Sequence, residues 1–426
     1  MTAAGWWPLL GLVIGVPLLL WLRQNMIVVL GLSSAWLYFF YSNGAIGNTA
    51  LDAWQNARNE NFLAIPLYVL AGNVMANGSI AQRLIRVMSA LTAPIPGGLA
   101  LCAVLSCTLF AAISGSSTVT MLAVGGVLYP AMLKAGYERL FSLGLLCAAG
   151  TLGIIIPPSI PMILYGIMTG VSITDLFKAG VLPGLMLALI LGVYAVWKNR
   201  HLRQSTRWDL AEIGASLGHG VFALLVPVII LGGIYSGYFT ATESAVVALF
   251  YAVAIDVFVH RQLTFRKLFS ITHETVKMSG ALFPMLIMAV SINVFLGEKQ
   301  VPQMAAEWMG GVFTNQAGFL VAVNVLLLIT GCLIDIGSAI LILAPLLAPM
   351  AVKMGLDPVH FGVIMLVNLE IGYLTPPMGL NLIVASIAFK ESFANCCKAV
   401  LPFIALLLFG LLVVVLWPGL SLALVK

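Results

Sequence analysis

The sequence has little charge: Asp, Glu, Lys and Arg make up 8% of its 426 residues, against about 25% in an ordinary soluble domain. With 61% of the residues hydrophobic and a mean hydropathy of +1.08, a water-soluble fold is excluded. Alternation of polar and apolar residues is missing too. Leu9–Leu22, Phe141–Ile156 and Phe403–Trp417 are almost continuously apolar, which excludes a transmembrane β-barrel. No G-x-x-x-x-G-K-[ST] loop occurs, so ATP hydrolysis by that route is excluded. The six cysteines (Cys102, Cys107, Cys147, Cys332, Cys396, Cys397) form no C-x-x-C pair and lie in apolar segments, where they read as packing residues. The five histidines (His201, His219, His260, His273, His360) lack metal-ligand spacing. The net charge of +5 is spread thinly over loops, which argues for membrane orientation and against a nucleic-acid partner.

What is present is a series of apolar runs long enough to cross a bilayer, about 20 residues each. They predict helices over 6–22, 26–42, 61–77, 141–168, 174–196, 217–235, 241–259, 279–297, 358–386 and 395–418. The first run has no basic segment ahead of it and another run directly behind, so it reads as a retained helix and not a signal peptide. Trp6, Trp7, Trp21, Trp36 and Trp417 suit an interfacial aromatic belt. Two stretches, 95–133 and 317–352, are long enough for two passes but are interrupted by Ser114-Gly115-Ser116-Ser117 and Asp335-Ile336-Gly337-Ser338. Each predicts a re-entrant hairpin that enters and leaves on the same side.

The basic residues test that layout. With the N-terminus outside, the inner loops collect Arg23, Arg83, Arg86, Lys134, Arg139, Lys198, Arg200, Arg203, Arg207, Arg261, Arg266, Lys267, Lys277 and Lys390, and the outer side only Arg58, Lys299, Lys353 and Lys426. Lys178 and Lys398 fall near helix ends. Such asymmetry is the positive-inside pattern, and counting either hairpin as one crossing would destroy it. Both termini then lie outside.

The basic connector 198–216 separates a first repeat, 1–197, from a second, 217–426. At an offset of 219 positions Pro130 matches Pro349, Gly136 matches Gly355, Gly153 matches Gly372, Pro157-Pro158 match Pro376-Pro377, and Val181-Leu182-Pro183 match Val400-Leu401-Pro402. The first hairpin opens inward and the second outward, so the repeats are inverted. Inverted repeats with interrupted helices mark secondary transporters whose sites lie near the midplane. The expected fold is therefore an all-α polytopic membrane protein with two re-entrant hairpins and two interrupted helices.

The hairpin tips and the Pro-Pro breaks are where backbone hydrogen bonds are lost within the membrane, tolerated only inside protein or beside a wet cavity. Carbonyls freed there, with Ser, Thr and Asn oxygens, suit a hard cation such as sodium, and half-helix N-termini suit an anion. The first candidate cluster is Ser114, Gly115, Ser116, Ser117 and Thr118 with Gly153, Pro157 and Ser159. The second is Asp335, Gly337 and Ser338 with Gly372, Thr375, Pro376 and Pro377. Asn368, Glu370, Gly379 and Asn381 flank the second break as candidates for substrate contact or coupling. Serine and threonine also join helices in lipid at about 0.6–2 kcal/mol each, and a buried acid can simply hold a neighbouring helix. Thr240-Ala241-Thr242-Glu243 has capping-box spacing, so Glu243 reads as a helix cap. Asp256 is expected to reach the interface beside His260 and Arg261. On the residues alone Asp335 and Glu370 are also able to carry protons, so the choice between sodium and proton stays open.

Three segments carry a resemblance: Phe110–Ser117 (FAAISGSS), Gly150–Pro161 (GTLGIIIPPSIP) and Gly232–Glu243 (GGIYSGYFTATE). The chain resembles, along nearly its whole length, the large membrane subunit of the tripartite ATP-independent periplasmic (TRAP) transporters. Ala241 departs from the proline common in that family, a change a capping box tolerates. The resemblance implies a sodium-coupled importer of organic acid anions in the bacterial inner membrane, with both termini periplasmic. It implies two partner chains, a small four-helix membrane subunit and a periplasmic substrate-binding protein, beside the lipid bilayer itself. It further implies an elevator mechanism in which one Na+ sits at the Ser114–Thr118 tip with Gly153–Ser159, another at Asp335–Ser338 with Gly372–Pro377, and the anion between the tips. The family's substrates include C4-dicarboxylates, sialic acid and other sugar and keto acids. The alternative is a stand-alone ion-coupled carboxylate carrier that needs no binding protein. An intramembrane enzyme is set aside, because neither the serine cluster nor the acids have a His, Lys or metal ligand nearby in sequence.

Overall fold

A computed structural model of the chain describes residues 7–22, 24–56, 58, 60–202, 207–304, 307, 313, 315–377 and 379–425. Trp6, Arg23, Arg203 and Lys426 lie outside the described residues. Among these the chain forms α1 (Trp7–Trp21), α2 (Met26–Tyr41), α3 (Gly47–Asn56), α4 (Asn61–Asn77), α5 (Ile80–Thr92), α6 (Gly98–Ser114), α7 (Ser117–Lys134), α8 (Arg139–Gly150), α9 (Leu152–Ile155), α10 (Ile160–Thr169) and α11 (Ile173–Lys198). The second half follows with α12 (Leu210–Tyr235), α13 (Ala241–Ala254), α14 (Phe265–Glu298), α15 (Gln316–Leu333), α16 (Ile336–Lys353), α17 (Pro358–Tyr373), α18 (Leu380–Ala388), α19 (Phe393–Leu416) and α20 (Pro418–Leu422). Among the described residues eight helices are long and apolar enough to cross a membrane, or up to ten if each of two bent pairs counts as one span.

Local sequence explains where these helices begin. A short polar residue ahead of an apolar run caps the first turn by accepting from a backbone N–H, as Ser116, Ser159, Ser172, Thr264, Asn315, Asp335, Asp357 and Ser392 do. The Thr240–Glu243 capping box forms as expected: Thr240 N–H donates to Glu243 Oε2 at 2.8 Å, and Glu243 N–H donates to Thr240 Oγ1 at 3.2 Å. The chain exposes long apolar rows, such as Leu189, Val193 and Trp197 on α11, Val321, Val325 and Ile329 on α15, and Phe409, Leu412 and Leu416 on α19. A water-facing surface does not carry rows of this extent; they are the lipid face of a multi-pass membrane protein. In contrast, α17 is buried from Val359 to Gly372 although it carries His360, Asn368 and Glu370.

Both expected hairpins are present, and they open at opposite ends of the bundle. α6 and α7 leave from one end, where Tyr137 beyond α7 lies against the backbone of Leu99 and Ala100. The same end gathers basic loops: Gly97 N–H donates to Leu202 O, Trp208 Nε1 to Leu91 O, Arg83 to His219 O and Lys267 to Asn77 O. α8 and α9 run from this end to the middle, and α10 continues to the far end, where Tyr165 donates to Pro358 O and Asn293 to Met168 O. α17 enters from that far end, and α18 returns to the basic end, where Glu391 meets Arg139. The two broken helices are thus antiparallel. Pro157-Pro158 and Pro376-Pro377, at equivalent positions in the two breaks, are both cis.

Several boundaries differ from the sequence expectation. The helix expected over 279–297 begins at Phe265 and runs for 34 residues, about 51 Å at 1.5 Å per residue, so Lys277 lies inside it. The helix expected over 217–235 begins at Leu210. Two unexpected helices, α3 and α5, carry too many polar residues to register as spans; α5 follows α4 at a bend of 62°. Asp256 lies beside His260 as expected, 3.3 Å from its Nδ1, but its carboxylate is fully buried in a π-helical turn, Ile255–Val259, where it also accepts from the Ser79 hydroxyl.

Candidate functional site

The first tip is a two-residue turn. Gly115 takes the left-handed φ of +61°, and Ser116 is extended and caps α7. Glycine is needed at 115 both for that φ and for space, because a Cβ there would stand 3.0 Å from Pro158 O. Ile160 N–H donates to Gly115 O at 3.3 Å, which fastens the tip to the first break. From the other side Gly153 lets the break approach, since a Cβ would stand 2.5 Å from Ser116 O and 2.6 Å from Thr120 Oγ1. Ser114 Oγ and Thr120 Oγ1 share a hydrogen bond of 2.6 Å. Neutral oxygens from Ser114, Gly115, Ser116, Pro158 and Thr120 therefore crowd one small volume, the donor chemistry a hard cation takes. Ser159 belongs to it indirectly, as the cap of α10. Sequence reading missed Thr120; its signal was its place one helical turn after Ser116.

The second tip has the same topology with different chemistry. Asp335, at the position equivalent to Ser116, caps α16 by accepting from Ser338 N–H at 2.9 Å, and its other oxygen accepts from the Ser338 hydroxyl. Its break docks elsewhere. Gly372 meets not the tip but Gly331 on the incoming arm, where added Cβ atoms would stand 2.7–3.1 Å from the opposite glycine's Cα. The Thr375 hydroxyl is taken by Ile371 O of its own helix. Among the described contacts none brings Gly372, Thr375, Pro376 or Pro377 to Asp335, Gly337 and Ser338; Tyr373 is the residue of that break that lines the tip's cavity.

The flanking candidates divide. Asn381 joins the first tip, accepting from Thr118 Oγ1 at 2.9 Å and donating to Ser117 Oγ at 3.1 Å and to Glu370 Oε1 at 3.3 Å. Gly379, left-handed at φ +45°, starts the helix that positions it. Asn368 points away, donating to Asn324 on α15.

Between the tips lies a cavity of about 180 Å³ lined by Gly115–Thr118, Ile160, Pro161, Asp335–Gly337 and Tyr373, closed by Ile65, Met285 and Leu286 from α4 and α14. The N-termini of α7, α10 and α16 all end on this cavity. Helix N-termini present unpaired N–H groups and a partial positive charge, so they make an anion site without a basic side chain. Among the described residues Asp335 is the one charged residue lining the cavity, and its carboxylate is engaged in capping.

Oppositely directed hairpins and two broken helices with a cavity between the tips are the architecture of a secondary transporter. The chain belongs to the family described as "Tripartite ATP-independent periplasmic transporter, DctM component", which matches residues 13–420. The C4-dicarboxylate TRAP transporter large permease protein DctM of Pseudomonas aeruginosa is 42% identical, covering 93% of each chain. The isethionate TRAP transporter permease protein DctMQ of Oleidesulfovibrio alaskensis is 38% identical over 96% of this chain and 64% of its own length. The solved structure of Neisseria gonorrhoeae MtrF, titled as one of a class of antimetabolite efflux pumps, shares the fold at a TM-score of 0.64 and 15% identity over 91% of this chain and 85% of its own. The chain is a transporter permease and not an enzyme.

Proposed function

We propose that this chain is the large permease of a sodium-coupled importer of small organic acid anions, fed by a periplasmic binding protein and completed by a small four-helix membrane subunit in the bacterial inner membrane. The observation that carries the reading is the cavity of about 180 Å³ on which three helix N-termini and both hairpin tips converge. Pockets for drug-sized ligands measure roughly 300–1,000 Å³, so this smaller one suits an anion of a few carbons, the size of the C4-dicarboxylates and isethionate named for the relatives. Sodium is assigned to the neutral oxygens around Ser114, Ser116 and Thr120 and to the carboxylate and backbone oxygens around Asp335. The two tips with α8–α10 and α17–α18 form the moving transport domain of an elevator, and the lipid-facing helices its frame. The excess of basic residues at one end supports an orientation with both termini periplasmic.

The test is uptake of labelled C4-dicarboxylates and isethionate into proteoliposomes holding this chain and its small partner, with binding protein outside, comparing sodium with proton gradients. Uptake is expected with sodium and binding protein together. Uptake driven by protons overturns the coupling assignment, and uptake without binding protein makes the chain a stand-alone carrier.

A further inference from the structure

A second polar pocket lies at the basic end of the bundle, away from the transport cavity. It has a volume of about 220 Å³ and is lined by Ser79, Gln82, Arg83, Arg86, Ser216, His219 and Gln262. Three elements build it: the first two turns of α5, the first turns of α12, and the chain just after the π-helical turn of α13. We propose that this pocket binds the phosphodiester headgroup of an anionic phospholipid.

The donors are held in place and only partly used. Arg83 gives one Nη1 proton to His219 O at 2.8 Å, and Arg86 gives Nε and Nη2 to Glu212 at 2.8 and 3.1 Å. Each guanidinium carries five N–H donors, so both keep Nη protons for a planar or tetrahedral oxyanion. His219 Nδ1 faces Ala215 O at 2.7 Å. A carbonyl only accepts, so Nδ1 bears the proton and His219 is tied back to its own helix. Gln82 and Gln262 add exposed amides. Ser79 is fastened from behind: its N–H and hydroxyl donate to buried Asp256, which fixes the α4–α5 bend and aims α5 at the pocket.

The nearby acids do not oppose an anion equally. Glu212 is paired with Arg86, and Asp256 is buried behind Ser79; Lys267, bonded to Asn77 O at the end of α4, adds further positive charge. The location selects a lipid over a dissolved phosphate. α12, which supplies Ser216 and His219, exposes Leu217 and Val221, and the π-helical turn ahead of Gln262 exposes Phe258 and Val259. A headgroup in the pocket thus has apolar helix surface beside it for its chains. Basic pockets between helices at the end where positive residues gather are where anionic headgroups bind.

The test uses the full chain purified in detergent. Native mass spectrometry and thermal melting are run with phosphatidylglycerol, phosphatidylcholine or inorganic phosphate. Phosphatidylglycerol is expected to stay bound and raise the Tm, and to bind roughly five- to tenfold more weakly to Arg83→Gln. Because Arg83 also ties α5 to α12, the double variant Gln82→Glu and Gln262→Glu provides a second arm: it keeps that tie, places carboxylates in the pocket, and is expected to lose the lipid while melting normally without it. Lys353→Gln, at the opposite end, is expected to bind as the parent does. Equal retention of phosphatidylcholine, unchanged binding by the double variant, or an equal loss in Lys353→Gln overturns the proposal. Stabilisation by inorganic phosphate with no effect of lipid assigns the pocket to a dissolved anion and overturns the lipid source.

Discussion

The two hairpins share a topology and divide the chemistry. The first is built from neutral hydroxyls, its arms pack along each other, and its tip docks directly on the Pro157-Pro158 break, buried from Gly153 to Ser159. The second is headed by a carboxylate. Its arms touch far less, and its break rests on the incoming arm through the Gly331–Gly372 crossing. Equivalent capping positions are occupied by Ser116 and Asp335. The difference teaches that a repeated backbone need not repeat its ligands: one tip offers a cation oxygens already crowded together, and the other offers a charge on a looser frame.

The largest effect expected from breaking this comparison is in Asp335→Ala against Ser116→Ala. Both remove a cap, at about 0.5–2 kcal/mol, but only the first removes a charge. Interactions with charged groups are worth about 1.5–3 kcal/mol, so sodium-driven uptake should fall about ten- to hundredfold in Asp335→Ala and only a few-fold in Ser116→Ala. Equal losses in side-by-side proteoliposomes would remove the distinction between the tips.

Gly153→Ala and Gly372→Ala sharpen the same comparison. Each forces backbone apart and should cost about 1–3 kcal/mol in thermal stability. Only Gly153→Ala presses on the tip oxygens Ser116 O and Thr120 Oγ1, so it alone should weaken apparent sodium affinity at the first site. A sodium titration of transport in both variants decides this.

Asn381→Ala cuts a side chain that joins Glu370 to Ser117 and Thr118, alongside the direct bond of Glu370 with Ser117. Stranding a buried polar group costs about 1–3 kcal/mol, to be read as a lowered melting temperature, with Asn381→Asp no substitute because it adds a second acid beside Glu370. A melt unchanged in Asn381→Ala would mean that the halves do not lean on each other there.

The smallest effect belongs to Glu391. Burial pushes its carboxyl up, but hydrogen bonds from Tyr129, Arg139 and Asn395 outweigh this and hold it below the ordinary range. A carboxyl whose folded pKa is lowered stabilises above its unfolded pKa, near 4.3, and the gain disappears as the pH falls through the folded pKa. Glu391→Gln should therefore melt lower than the parent at pH 7 and converge with it in acid; a constant gap across pH would refute the assignment.

Much of this architecture was legible because the membrane imposes simple rules. Apolar runs, the paired Pro-Pro breaks and the sidedness of Lys and Arg were enough to predict both hairpins and their opposed openings. α5 escaped because its Gln82, Arg83 and Arg86 make it amphipathic, and α3 because it is short and polar. The burial of Asp256 was hidden for a different reason: its neighbour His260 was legible in sequence, but Ser79, which also holds it, lies 177 positions away. The bridge from Asn381 to the first tip spans 264 positions, and no local pattern reports a contact of that range. Thr120 was hidden because a site formed at a turn also recruits the next turn of the helix.

The burial of α17 has a consequence for biosynthesis. A helix carrying Asn368 and Glu370 leaves the ribosome as a poor candidate for lipid, where an acid costs about 2.5–3.5 kcal/mol near the bilayer centre. Its partners are spaced to receive it: Asn324 and Ser117 are already made when α17 emerges, and Asn381 follows Glu370 after 11 residues. The order of synthesis thus delivers the Asn368 amide and Glu370 Oε1 to neighbours that are waiting or next in line, and the central helix is inserted into protein more than into membrane.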